Sequence, residues 1–220
     1  MKERIYYTTY ASPVGALTLT SDGTSLTGLW TEHGKYAPDF SAGTASPQAP
    51  SNSHFAAGNT PPQASSTIDF AAENASPQAP SSSRFSGKMT SPARLPVFLQ
   101  TTQWLDCYFR GENPRMDIPL APSGSPFQHL VWDILLTIPY GETTTYGAIA
   151  RQLEAATGKR AAAQAVGGAV GHNPIDILIP CHRVVGKSGS LTGYAGGLEV
   201  KTALLTLEGV DMTGFFLPGQ

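Results

Sequence analysis

The chain has two cysteines among its 220 residues, Cys107 and Cys181. Cys181 stands in the run Ile179-Pro180-Cys181-His182-Arg183-Val184-Val185. The thiolate is the reactive form of cysteine, and a nearby imidazole or cation raises its population at neutral pH. A lone cysteine is more often a small, inert core residue. The surroundings shift that balance: Gly167-Gly168 and Asn173-Pro174 precede the cysteine, and Gly189, Tyr194 and Gly196-Gly197 follow it. So many backbone-shaping residues point to a built site rather than a strand that happens to hold a thiol.

The segment Asn173-Pro174-Ile175-Asp176-Ile177-Leu178-Ile179-Pro180-Cys181-His182-Arg183-Val184 resembles the active-site signature of the O6-alkylguanine-DNA alkyltransferases, the methylated-DNA–protein-cysteine methyltransferases. The similarity continues through Thr192-Gly193-Tyr194-Ala195-Gly196-Gly197-Leu198 to Glu208-Gly209. It reaches back through Tyr140-Gly141-Glu142-Thr143-Thr144-Thr145-Tyr146-Gly147, Val131-Trp132 and Pro126-Phe127-Gln128. It therefore covers the C-terminal half of the chain, and a motif of this length is highly specific.

The resemblance implies alkyl transfer from guanine O6 in double-stranded DNA to Cys181, with the base flipped out of the stack. Such a displacement needs a deprotonated sulfur, an aligned approach and a donor for the departing guanine. By the same resemblance, His182 takes part in a relay to the thiol and Glu208 orients its imidazole. Asn173 is a hinge residue before the cysteine, and Tyr146 is the phenol that donates to the leaving base. Tyr194 and Ala195 line the base pocket, with Gly196-Gly197 shaping its wall, and Arg183 is a structural arginine with no chemical role. Neighbouring side chains of an extended chain point to opposite faces, so a direct Cys181–His182 contact is not required, and a bridging water is compatible with the relay. A carboxylate near the end of the last helix opposes the helix dipole, so Glu208 is expected to have a specific partner. The thioether product is stable and the sequence offers no group to release it, so each molecule would repair one lesion. No cofactor is expected. Some family members hold zinc through cysteines and histidines in the N-terminal domain; this chain has no cysteine before Cys107, so no metal is expected.

The elements that must position these residues are legible in outline. Ile5, Tyr6, Tyr7 and Tyr10 over residues 4–10, Ala16–Thr20 and Leu26–Trp30 read as three strands, separated by turns at Ser12-Pro13-Val14-Gly15 and Asp22-Gly23. This antiparallel meander is similar to the family's small N-terminal domain, although an unrelated sheet would fit these residues equally well. Leu95 to Phe109 has helical spacing and ends at Gly111-Glu112-Asn113-Pro114, with Cys107 read as a small core residue. Met116–Leu120 reads as a short strand and 121–125 as a linker. A helix opens at Ser125-Pro126, with Ser125 as cap; its His129 reads as a surface or satisfied core residue rather than a ligand. Thr144–Leu153 and Ala161–Gly171 form a helix-turn-helix pattern around Thr157-Gly158-Lys159-Arg160. The expected class is α+β, with a sheet domain over 1–120 and a winged-helix-like DNA-binding and catalytic domain over 121–220.

From about residue 41 to 92 the composition turns to Ala, Ser, Pro, Gln and Asn, and phenylalanine recurs every 15 residues at Phe55, Phe70 and Phe85. One phenylalanine per repeat is too little apolar surface to offset the entropy of ordering the chain. The stretch is expected to be a mostly disordered insertion in a surface loop; partner binding is the sharper alternative.

The second helix of the pair is built from Ala, Gly, Val and Gln164. Small residues permit close helix packing; they also let a helix approach a minor groove about 6 Å wide. In the resembled family this helix enters the minor groove, so Ala163, Gln164, Gly167 and Arg160 are expected at the DNA. Many members carry an arginine where this chain has Gln164, which can hydrogen-bond to the orphaned base but brings no charge.

The formal net charge is -2 and the pI about 6.2, so the protein is not globally basic and any DNA contact must be local. Residues 140–190 hold five basic and three acidic side chains, a modest phosphate footprint that helix N-termini can supplement. The cysteine usage and the N-terminus, which lacks an apolar secretion segment or membrane span, lead to the expectation of a cytoplasmic monomer, nucleoid-associated in a bacterium. Two other classes compete. One is a module that recognises alkylated bases without transfer, as in relatives lacking the cysteine. The other is a Cys–His hydrolase, which needs an oxyanion hole.

Overall fold

The fold is taken from a computed structural model that describes residues 5–32, 34–38, 88–89 and 94–217. Residues 1–38 and 86–220 make one unit and 39–85 another, which lies outside the described residues.

Strands β1 (Tyr6–Ser12), β2 (Gly15–Ser21) and β3 (Leu26–Thr31) form the expected meander. The first turn is closed by Ser12, whose hydroxyl donates to the Gly15 carbonyl at 2.5 Å and accepts from the Val14 N–H. In the second, Asp22 accepts the backbone N–H groups of Thr24 and Ser25, both at 2.8 Å. Leu17 and Leu19 of β2 and Leu26 and Leu29 of β3 are fully buried, each contributing about 1.5–3 kcal/mol of apolar transfer free energy.

A further strand, β4 (Lys88–Met89), runs parallel to β1 and sets the sheet order β3-β2-β1-β4. A strand thus lies inside the range read as insertion; the repeats themselves lie outside the described residues. Two consecutive residues carry no periodicity, so β4 had no signal of its own. Met116–Leu120 is not a ladder strand. Only Leu120 bridges, at the head of β3, where the Leu26 N–H donates to the Pro119 carbonyl.

Helix α1 (Pro96–Phe109) ends at the expected place. Its Cys107 is half-buried rather than a core residue, with Arg110 Nη2 donating to its sulfur at 3.2 Å. The neighbours Tyr108 and Phe109 take the inward face instead. Helix α2 (Pro126–Leu135) opens with a reciprocal cap: the Ser125 side chain accepts the Gln128 N–H, and the Gln128 side chain accepts the Ser125 N–H. His129 packs its ring against Trp132.

The helix-turn-helix consists of α3 (Tyr146–Thr157) and α4 (Ala163–Gly171). Thr144-Thr145, expected to start α3, instead form β5, paired in parallel with β6 (Val184–Val185). β-branched threonines suit a strand, and Thr145 caps α3 by accepting the Ala148 N–H. Gly158 ends α3 in the left-handed conformation, φ 70°. Trp132 of α2, fully enclosed, donates its indole N–H to the Ala169 carbonyl of α4 at 3.0 Å. A final helix, α5 (Leu198–Leu207), ends at Glu208.

Candidate active site

The chain that carries Cys181 is set by the N-terminal sheet as well as by its own turns. The Leu29 N–H of β3 donates to the Pro174 carbonyl at 2.9 Å, and the Asp176 N–H returns to the Leu29 carbonyl at 2.8 Å. Asn173, at 2% exposure, then fastens the loop from inside. Its Oδ1 accepts the Ile175 N–H at 3.0 Å, and its Nδ2 donates to the Ile179 carbonyl at 2.8 Å and to the sulfur of Cys181 at 3.2 Å.

Two three-residue turns complete the approach. The Leu178 N–H bonds the Asp176 carbonyl across Ile177, whose φ of 69° is the one positive value at a non-glycine residue among those described. This is the rarer kind of γ-turn, strained for a β-branched side chain. The Cys181 N–H bonds the Ile179 carbonyl at 2.7 Å across Pro180, at φ -78° and ψ 63°, an inverse γ-turn. Strain of this kind persists where surrounding structure over-determines it; here β3 and Asn173 do so.

Cys181–Arg183 forms one turn of 3-10 helix, not the extended chain assumed from the sequence. The sulfur bonds Asn173 and lies 3.6 Å from Asp176 Oδ1, while the imidazole of His182 turns to Glu208. Cysteine and histidine thus share a turn without a direct hydrogen bond.

Glu208 has the specific partners its position required. Its Oε1 accepts from His182 Nε2 at 2.8 Å, Tyr108 Oη at 2.7 Å and Arg183 Nη2 at 3.0 Å; its Oε2 accepts from Arg183 Nε at 2.8 Å and the Gly141 N–H at 3.2 Å. Burial raises the carboxyl's pKa, but the hydrogen bonds from His182 and Arg183, with the Arg183 charge, outweigh it and hold the pKa at about 2. Burial depresses the His182 pKa against the pull of Glu208, leaving a neutral ring at pH 7. The nitrogen facing a carboxylate carries the proton, so Nδ1 is the acceptor, and it makes no hydrogen bond among the described residues. Arg183 also donates to the Ile138 carbonyl at 2.6 Å, consistent with a structural part.

Tyr146, at the start of α3, donates its hydroxyl to the Thr192 carbonyl at 3.0 Å, and burial raises its pKa. Gly193 is required beside it: its φ is 74°, and a Cβ there would come within 2.5 Å of the phenol oxygen. Tyr194 is buried edge-on to His182, with centroids 6.4 Å apart. Ala195 is half-buried and its carbonyl accepts the Lys35 N–H from the segment after β3.

The remaining residues are carried by α4 and the turn before it. Ala163 and Gln164 are exposed on α4, while Val166, Ala169 and Val170 are buried on its other face. Small residues therefore serve both readings of this helix: close packing inward and a low-relief surface outward. Gly167 lies between, against the ring of Tyr146. Arg160 is 92% exposed and 3.9 Å from Glu154, an ion pair of little energetic weight.

Three contributors escaped the sequence reading. Tyr108 of α1 holds Glu208. Lys201 of α5, fully buried, donates to the Val184 carbonyl at 2.5 Å and the Thr192 carbonyl at 2.7 Å. Burial lowers its pKa to about 8, and Cys181 opposes that shift. Its place three and four residues before Leu204 and Leu205 put it on an apolar stripe, which was the available signal. Asp176 is the third: an acid in the apolar run 175–179, at 1% exposure.

A thiol and an imidazole–carboxylate pair on one turn, beside a helix-turn-helix with a low-relief outer helix, define a nucleophilic site at a nucleic-acid-binding fold. Residues 126–210 match the family model described as 6-O-methylguanine DNA methyltransferase, DNA binding domain, and residues 5–57 that of its ribonuclease-like domain. The methylated-DNA–protein-cysteine methyltransferase of Mycobacterium tuberculosis is 39% identical over 204 residues, covering 93% of this chain and 92% of its own. That of Haemophilus influenzae is 36% identical over 205 residues, covering 93% and 86%. Among solved structures, M. tuberculosis O6-methylguanine methyltransferase aligns at 37% identity with TM-score 0.63, covering 93% and 92%. The same organism's OGT in complex with DNA aligns at 37% and 0.63, covering 92% of each chain. The chain belongs to the methylated-DNA–protein-cysteine methyltransferase family.

Proposed function

We propose that the protein repairs alkylated DNA by transferring the alkyl group of O6-alkylguanine, and by extension O4-alkylthymine, to Cys181 in a single turnover. The observation that carries this reading is the Cys181 turn, with the sulfur fixed by Asn173 and the adjacent imidazole fixed by Glu208. The lesion is bound as double-stranded DNA, with the exposed face of α4 in the minor groove and the damaged base flipped into the pocket beside Tyr146, Tyr194 and Ala195. Gln164 and Ala163 meet the vacated stack, Gly167 lets the helix sit close, and Arg160 meets phosphate.

In the reaction the sulfur attacks the alkyl carbon, the S–C bond forms and the C–O6 bond breaks. The thiol proton leaves toward His182 Nδ1, the ring nitrogen without a protein partner, through a bridging water. Glu208 stabilises the charge the ring gains. Tyr146 is neutral and its hydroxyl can turn from the Thr192 carbonyl to the departing guanine, giving its proton to the purine; the proton held by His182 then restores the phenol, so the thiol proton ends on guanine. The thioether at Cys181 has no route back, so the protein is consumed. Residues 1–120 act as the supporting sheet domain and 121–220 as the DNA-binding and catalytic domain, in a monomer that works in the cytoplasm on nucleoid DNA. Among the described residues no helix is long and apolar enough to cross a membrane. The test is intact-mass measurement after incubation with O6-methylguanine duplex: one methyl group gained per molecule supports transfer, and an unchanged mass contradicts it.

A further inference from the structure

Asp176 has a place in the site that the alkyl-transfer reaction does not use. Its side chain is 1% exposed and its Oδ1 lies 3.6 Å from the sulfur of Cys181; the backbone N–H of Thr31 is the other donor that favours its ionised form. No cation pairs with it among the described residues. Its backbone is fixed independently, through Leu29 and the γ-turn at Ile177, and its side chain lies buried against the sulfur. Two anions this close in a dry site cannot both form.

The other groups that face the sulfur are known. Asn173 donates to it, and Lys201 from α5 favours the thiolate, as does any donor. Tyr146 from α3 and Tyr194 from the loop before α5 are neutral phenols whose ionisation Cys181 opposes. His182, on the same turn, is neutral and bound to Glu208. Against this set, Asp176 is the one acid beside the thiol among the described residues.

We propose that Asp176 is a positioning residue that holds Cys181 as a protonated thiol in the lesion-free protein, shielding a single-use nucleophile from other electrophiles. The purpose, though not the chemistry, rests on the single-turnover reading above. Burial, then the Asp176 charge, push the Cys181 thiol up, while burial raises the Asp176 carboxyl to about 7. Above that pH the carboxylate accepts the S–H bond and opposes loss of its proton. Replacing the charge with an isosteric amide removes the opposition and leaves the packing in place.

The test is alkylation by iodoacetamide across the thiol range, about pH 6 to 10, in a Cys107→Ser background so that Cys181 is the sole thiol. In the Asp176-containing protein the midpoint of the rate profile should lie well above that of an ordinary cysteine. In Asp176→Asn the midpoint should fall by about one pH unit or more, and the rate at pH 8 should rise about tenfold. Asp176→Ser should move it the same way, which covers the case where the amide misfolds. An ordinary midpoint in the Asp176 protein overturns the proposal, whatever the variants do. So does a faster rate at every pH with no midpoint shift, which is the mark of a loosened site, and so does slower alkylation of the variants, which would make Asp176 a base. Methyl transfer from O6-methylguanine duplex is measured in parallel on the same protein. Its absence would remove the repair reading and leave the acidity result standing.

Discussion

The Nε2 of His182 and the carboxylate of Glu208 meet at 2.8 Å with both side chains wholly out of solvent, although 26 residues separate them in the chain. The bond joins the cysteine turn to the end of α5 and fixes which imidazole nitrogen is free. Glu208→Gln keeps the shape and removes the charge that supports a protonated ring. The single-turnover methyl-transfer rate should fall about a hundredfold, while affinity for methylated duplex changes little.

The same carboxylate makes the fold acid-sensitive. The folded pKa of Glu208, about 2, lies below its ordinary value of 4.5, so the folded state binds fewer protons. Its contribution, about 2–3 kcal/mol, is present above pH 4.5 and is lost as the pH falls through 2. Urea denaturation at stepped pH should show this loss in the native protein and its reduction in Glu208→Gln.

The three strands, the helix-turn-helix and the trio Cys181, His182 and Glu208 were legible because each leaves a local mark: alternation, apolar spacing with caps, or a specific motif. What was not legible is long-range. Nothing in the sequence near Leu29 announces that its backbone will hold Pro174 and Asp176, nor does Tyr108 announce a partner one hundred residues away. The positive φ at Ile177 runs against the preference of its side chain, so local propensity pointed away from it. Asp176 was counted with the surface charge of its segment; only the fold reveals it as buried against the sulfur. Thr144-Thr145 were placed in a helix because the strand they pair with lies about forty residues on.

Gln164 is exposed on α4, so it should act on base extrusion and not on the methyl-transfer step. Gln164→Arg adds charge and cation–π attraction near the vacated stack, each of order 1 kcal/mol. Repair of O6-methylguanine in duplex DNA should speed up several-fold, less so at high salt. Reaction with free O6-benzylguanine, which needs no flipping, should be unchanged. Equal effects on both substrates would place Gln164 in the pocket chemistry.

The Ser/Pro/Gln/Ala repeats lack the apolar content of a core. Replacing residues 41–87 by a short Gly/Ser linker, with Lys88-Met89 kept because they pair with β1, should leave the melting temperature and transfer rate close to those of the full chain. A large loss of either would mean that the repeats pack on the domain or on DNA.

If Cys181 is the single acceptor, it alone carries the product thioether. The direct measurement is peptide-level mass spectrometry after reaction with excess O6-methylguanine duplex, on the native protein and on Cys181→Ala. One methyl group is expected, on Cys181 and none on Cys107, with no further lesions repaired once it is in place. Cys181→Ala should gain no methyl while still binding DNA. A methyl on Cys107, or repair of several lesions per protein molecule, would contradict it.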